Sequence, residues 1–168
     1  MIYLAADHRG FELKKAVEEL LTSQEQPFED MGASSLKPDD DYVDFARKAC
    51  EKIAEDPALH KGILICGSGH GMDMVANKYK GLRAAMGFNR YVAVQSREHE
   101  DANVLVLPAD WLKPQEAKDI VFEFLGSHFA GEERHMRRLR KIEEVEEKNL
   151  NTGPKRSSDF GVTFELPR

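Results

Sequence analysis

Short apolar runs alternate with segments of helical period from the first residue onward. Ile2-Tyr3-Leu4-Ala5-Ala6 reads as a strand and feeds a helix near Phe11 to Thr22. A weaker strand around Pro27 to Met31 precedes a helix over Val43 to Glu55, with Val43, Ala46, Cys50 and Ile53 on one face, which makes Cys50 a core residue. Ile63 to Cys66 is the clearest strand, and Arg83 to Gly87 and Asn103 to Leu107 give two more. Helices are expected between them, near His70 to Lys78 and Asn89 to Arg97. Pro114 to Leu125 opens on proline and stops before Gly126, as helices prefer. A last helix runs from about Glu132 to Lys148, with Met136, Leu139 and Ile142 expected to face the core.

Five strands, each followed by a helix, require a parallel sheet covered on both faces and joined by right-handed crossovers. The expected fold is α/β: a doubly wound, Rossmann-like five-stranded parallel sheet in a three-layer sandwich, one domain over residues 1–150. Residues 151–168, with Gly153-Pro154 and Ser157-Ser158, stand apart as a C-terminal extension, flexible or docking, with no chemistry assigned. Such folds bind ligands outside the carboxyl ends of the strands, near the point where strand order reverses. Polar residues fall at those ends: Asp7 and His8 after the first strand, Cys66 to Gly71 after the third, and Phe88-Asn89-Arg90 after the fourth.

Composition removes function classes more than it assigns one. A chain of 168 residues, 41% hydrophobic and 32% charged, suits a soluble domain with a proper core. The formal net charge of −6 and sequence pI of about 5.6 argue against a nucleic-acid or anionic-membrane surface, so an anionic ligand must meet a local basic patch. Cys50 and Cys66 have neither metal-ligand nor disulfide spacing, which suits a reducing, cytoplasmic compartment. The first apolar run is too short for a secretory signal, and none approaches membrane-spanning length.

Cys66 is the leading candidate for chemistry. It opens the loop Gly67-Ser68-Gly69-His70-Gly71, where backbone N–H groups and a helix start would hold an anion and lower a thiol's pKa. The loop lacks the lysine of a Walker motif and the spacing of a dinucleotide fingerprint; the competing reading is a small hydrophobe closing a strand. Asp7 and His8 can relay protons or grip sugar hydroxyls, although Asp7 can equally cap a helix. His99, ahead of the fifth strand, reads on its own as a surface residue, and His60, His70 and His128 as exposed or structural. In the last helix Arg134, Arg137, Arg138, Arg140 and Lys141 precede Glu143, Glu144, Glu146 and Glu147, the reverse of what the helix macrodipole favours. Arg134 and Arg138, four residues apart, share a face on which two guanidiniums can hold one phosphate, with His135 adjacent; a solvated face is the alternative.

Several segments carry a resemblance in their order and spacing. These are Ala6-Asp7-His8-Arg9-Gly10-Phe11-Glu12-Leu13-Lys14, Asp41-Tyr42, Gly62-Ile63-Leu64-Ile65-Cys66-Gly67-Ser68-Gly69, Ala76-Asn77-Lys78, Ser96-Arg97-Glu98-His99, Asn103-Val104-Leu105, and Arg134-His135 with Arg138. Together, from Met1 to about Lys148, they resemble the ribose-5-phosphate isomerase B family and its relatives, the galactose-6-phosphate isomerase subunits. The resemblance implies a cofactor-independent aldose–ketose isomerisation of a phosphorylated sugar through a cis-enediolate, with no metal. It gives the C2-to-C1 proton transfer to Cys66, with Ser68 helping the hydroxyl proton. The loop of Gly67, Gly69, His70 and Gly71 would stabilise the enediolate oxygen. His99 with Asp7 would open the furanose ring, and Arg134 and Arg138, with His8 or His135, would hold the phosphate. Tyr42 and Asn77 carry over as substrate-binding residues. A homodimer is implied, with a tetramer as the alternative, in which His99 and the final-helix arginines act across the interface.

This chain also departs from the family pattern. Met72 stands where some relatives place a glutamate base, which leaves Cys66 as the candidate base; Asp73, one residue further into the helix, is a weaker substitute. Asp110 stands where many relatives carry a phosphate-approaching arginine, and Arg9, where relatives commonly have a small residue, is the candidate to restore that charge. Interconversion of ribose 5-phosphate and ribulose 5-phosphate is the leading expectation. The alternatives are a six-carbon substrate such as allose or galactose 6-phosphate, or a non-catalytic phosphosugar-binding protein on the same scaffold.

Overall fold

The computed structural model describes residues 1–150, so the proposed extension over 151–168 lies outside the described residues. Five strands alternate with helices: β1 (Ile2–Ala6), α1 (Phe11–Ser23), β2 (Phe28–Asp30), α2 (Tyr42–Glu55), β3 (Lys61–Cys66), α3 (His70–Ala76), β4 (Ala84–Met86), α4 (Arg90–Glu100) and β5 (Val104–Pro108), then α5 (Pro114–Gly126) and α6 (Glu133–Leu150). All strand pairs are parallel, in the order β2-β1-β3-β5-β4. This is the doubly wound α/β sandwich that the alternation of apolar runs and helical segments predicts.

The alternation of side chains along each strand divides the core. Ile2, Leu4 and Ala6 of β1, with Ile63, Ile65, Leu105 and Leu107, face α1, α4 and α5. Tyr3 and Ala5, with Leu64, Cys66, Val104 and Val106, face α2 and α3. Strands buried on both faces must read as unbroken apolar runs, which is why β1, β3 and β5 were the clearest in sequence. The handedness rule fixes which layer each helix joins. The chain moves outward from β1 to β2 through α1, and back past β1 to β3 through α2 on the other face. From β4 to β5 it reverses direction again, returning α4 to the α1 side. Chain direction therefore diverges at β1 and β3, and the crevice at their carboxyl ends is the topological switch point.

Two expectations about helix faces are corrected. Val43 is exposed, because Asp41 caps α2 through the Val43 N–H and leaves the first turn at the rim; Ala46, Ala49, Cys50 and Ile53 are the buried stripe. In α6, Met136 and Ile142 are exposed rather than core-facing, Ile142 at 47% and its neighbour Val145 at 60%. The helix does not lie across the sheet: it starts beside the end of α4 and runs past Gly81 to Ala84, where Glu146 accepts from the Gly81 N–H at 2.9 Å, and Ile142 and Val145 line an open groove with Leu82 and Ala84. Cys50 is fully buried, and its thiol is pushed up to about 12 by burial, which suits a packing role.

Candidate active site

Asp7 and Cys66 stand side by side at the switch point. Asp7 donates its N–H to the Ile65 carbonyl at 3.4 Å, and its buried carboxylate accepts from the Gly10 N–H at 2.9 Å. Asp7 thus braces the turn into α1, while Gly10 holds the cap position. Burial pushes the Asp7 carboxyl above its usual range against the pull of that N–H. Cys66, 4% exposed, closes β3.

Burial also pushes the Cys66 thiol up, reinforced by the charge of Asp7, and outweighs the backbone N–H groups of Met72 and Gly69 and the charge of Arg9, which pull it down. This corrects the expectation of an acidified thiol. The loop amides act in the expected direction, but a sulfur at the end of a strand covered on both faces loses more solvation than they return.

Tyr42 and the glycine loop complete this edge. The Tyr42 ring lies against Gly71, in the space that a side chain at Gly71 would need. Ser68 is half-buried, and exposed His70 packs edge-on against Trp111, 6.2 Å between centroids. Gly69 has φ of +79°, and a Cβ there would stand 2.5 Å from Met86 Cε. Gly69→Ala is therefore expected to lower stability by about 1–3 kcal/mol and to depress turnover by displacing the loop, read from the denaturant midpoint and the isomerisation rate. Met72 is fully buried beside Cys66 in the core.

His8 belongs here too, with a partner that the sequence did not reveal. Asp40 Oδ1 accepts from the His8 backbone N–H at 3.0 Å and lies 2.6 Å from His8 Nδ1, which leaves Nε2 as the outward nitrogen. Asp40 Oδ2 is buried without a hydrogen-bond partner. Asp40 is the middle residue of the run Asp39-Asp40-Asp41, in which spacing singles out none of the three, and only the fold brings it to His8.

The remaining candidates lie at the other edge of the sheet. His99 ends α4 just before β5 and stacks on His135 at the start of α6, with ring centroids 4.4 Å apart. The Ala130 N–H bonds to the Glu98 carbonyl at 3.0 Å, fixing the start of α6 beside α4. His135 is 2% exposed, so it lies beneath His99 rather than among the exposed arginines, and its Nδ1 has no partner. Arg134 donates to Glu132 at 2.8 Å and to His135 Nε2 at 3.2 Å, and Arg138 is exposed one turn on. Asn77 is at this edge as well; its side chain clips α3 to β4 through the Ala84 N–H at 3.0 Å and carbonyl at 3.3 Å. β5 runs between the two edges, a span of about 16 Å for five extended residues, so one chain does not bring His99 to Cys66.

Among the described residues no group of three or more His, Cys, Asp or Glu is arranged to hold a metal ion, and no helix is long and apolar enough to cross a membrane. The sequence model of the ribose/galactose isomerase family matches residues 2–142. This chain belongs to the ribose/galactose isomerase family. It is accordingly an isomerase. It is 43% identical over 141 residues to the probable ribose-5-phosphate isomerase B of Mycoplasma pneumoniae, covering 84% of this chain and 91% of that protein. It is 36% identical over 146 residues to ribose-5-phosphate isomerase B of Mycobacterium leprae, covering 86% and 89%. The crystal structure of ribose-5-phosphate isomerase B from Mycoplasma genitalium with bound ribulose 5-phosphate superposes with a TM-score of 0.84 at 39% identity, covering 88% of this chain and 96% of that one.

Proposed function

We propose that the chain interconverts ribose 5-phosphate and ribulose 5-phosphate in the cytoplasm, as a homodimer with sites built from both subunits. The observation that carries this reading is the division of the polar residues. Cys66, Asp7 and His8 occupy the carboxyl edge, whereas His99, Arg134 and Arg138 occupy the other, too far away to meet one sugar within one chain. A second copy, packed against the exposed Ile142 and Val145 stripe of α6, supplies the missing cluster.

Cys66, as thiolate, removes the C2 proton of the open-chain aldose and returns it at C1, while the enediolate oxygen takes hydrogen bonds from the loop between Gly67 and Gly71. A thiol pushed up by burial is rarely ionised at neutral pH, but its thiolate is a stronger base, which suits a weakly acidic C–H. Ser68 moves the hydroxyl proton. Asp7, with the partner's counterpart of His99, opens the ring. The arginines of α6 hold the phosphate, and His8, oriented by Asp40, contacts the sugar through Nε2. The test is initial rates of ketose formation from ribose 5-phosphate, allose 6-phosphate and galactose 6-phosphate. The five-carbon sugar is expected to be fastest. A faster six-carbon sugar would reassign the substrate, and failure of all three would overturn the reading.

A further inference from the structure

Of the residues expected to hold the phosphate, His135 alone is buried, at 2% exposure near the start of α6. Neither of its ring nitrogens is open to a ligand: Nδ1 is buried without a partner, and Nε2 accepts from Arg134 Nε at 3.2 Å. A nitrogen that accepts carries no proton, so the single proton of this ring sits on Nδ1. One face of the ring covers His99, with centroids 4.4 Å apart and planes 18° from parallel. His99 is half-buried, and among the described residues no hydrogen bond reaches its ring nitrogens, so its orientation rests on this stack. The backbone repeats the link: Ala130 donates to the Glu98 carbonyl at 3.0 Å and buried Arg97 to the Ser127 carbonyl at 3.4 Å, which ties the segment leading into α6 to the last turn of α4.

We infer that His135 is a positioning residue for His99 rather than a phosphate ligand: its ring is the platform that holds the ring-opening imidazole in one orientation, and Arg134 is the latch that keeps the platform from turning. This rests on the isomerase reading and on the ring-opening role of His99 given above. Opening a furanose moves a proton between the anomeric hydroxyl and the ring oxygen, so the imidazole that carries it must meet both oxygens with hydrogen-bond geometry. A histidine in the last turn of a helix, with no hydrogen bond of its own, has several rotamers open to it. The stack selects one before the sugar arrives. Arg134 does not depend on His135 for its own place, because its Nε also donates to Glu132 at 2.8 Å, and Arg138 lies one turn on. Removing the imidazole should therefore disturb His99 far more than the phosphate grip.

The experiment compares kcat and KM on ribose 5-phosphate for the wild-type protein, His135→Gln, which keeps an acceptor for Arg134 but no ring, and His135→Phe, which keeps a ring but no acceptor. The proton NMR resonances of the His99 ring and the denaturant midpoint are followed in each. His135→Gln is expected to lower kcat about tenfold or more with KM within about threefold of wild type, and to move the His99 ring protons downfield as the shielding ring is lost. His135→Phe is expected to keep at least about a third of kcat and most of the shielding. If His135→Gln does not fold, His135→Leu is read in the same way. Equal loss of kcat in His135→Gln and His135→Phe would overturn the platform, as would a raised KM with unchanged kcat, which would make His135 a phosphate ligand, or a fall in midpoint with both constants unchanged. His99→Asn in the same assay separates the two levels: full activity there would remove the ring-opening role and this inference with it, whereas lost activity there beside a His135→Gln at wild-type rate would overturn this inference alone.

Discussion

Cys66→Ala is expected to lower kcat on ribose 5-phosphate by about 10³-fold or more while ribulose 5-phosphate still binds within about threefold of wild type. Sulfur is the proton carrier in this account, and no neighbour can replace it. Met72 is apolar and buried, and burial pushes the Asp73 carboxyl up while its oxygen contacts Asn77. The cavity left by one sulfur is small, so a folded, ligand-competent variant is expected. The wild-type pH profile carries the matching sign. The active form is deprotonated and burial raises the thiol above its ordinary value, so kcat/KM should climb through neutral into alkaline pH as thiolate accumulates. A profile flat from pH 6 to 9, or a Cys66→Ala variant at full speed, would remove the thiolate from the mechanism. Isothermal titration with ribulose 5-phosphate separates lost chemistry from lost binding.

The second large effect concerns the split between the two edges. Cys66→Ala chains and Arg134→Ala/Arg138→Ala chains should each be nearly inactive alone. Refolded together in equal amounts, they are expected to recover about a quarter of wild-type activity, because half of the randomly formed dimers carry one site with an intact carboxyl edge from one chain and an intact basic cluster from the other. If each chain served its own site, mixing would restore nothing. The measurement is activity after co-refolding against the two variants refolded separately.

What could be read in the sequence followed from physics that acts locally. Strands buried on both faces announce themselves as apolar runs, so β1, β3 and β5 and the layer arrangement were legible, and Cys66 stood out because a glycine-rich turn follows a buried strand. The ionisation of Cys66 was not legible, since it depends on a balance between loop amides and burial that only the packed sheet sets. Asp40 was hidden among three consecutive aspartates, and its link to His8 joins residues 32 positions apart. The Arg9–Asp110 ion pair spans 101 positions. The exposed stripe of α6 was misread for a related reason: helical spacing shows that Met136 and Ile142 share a face but not which molecule covers it.

The central claim is that a proton leaves C2 for Cys66 and returns to C1, and the most direct test is isomerisation of ribose 5-phosphate in deuterium oxide followed by proton NMR of the ribulose 5-phosphate formed. Because a proton held on a thiol exchanges with solvent, the account predicts carbon-bound deuterium at C1 of the product in the wild-type protein, and neither conversion nor exchange in Cys66→Ala. Conversion with no carbon-bound deuterium, or undiminished exchange in Cys66→Ala, would contradict it.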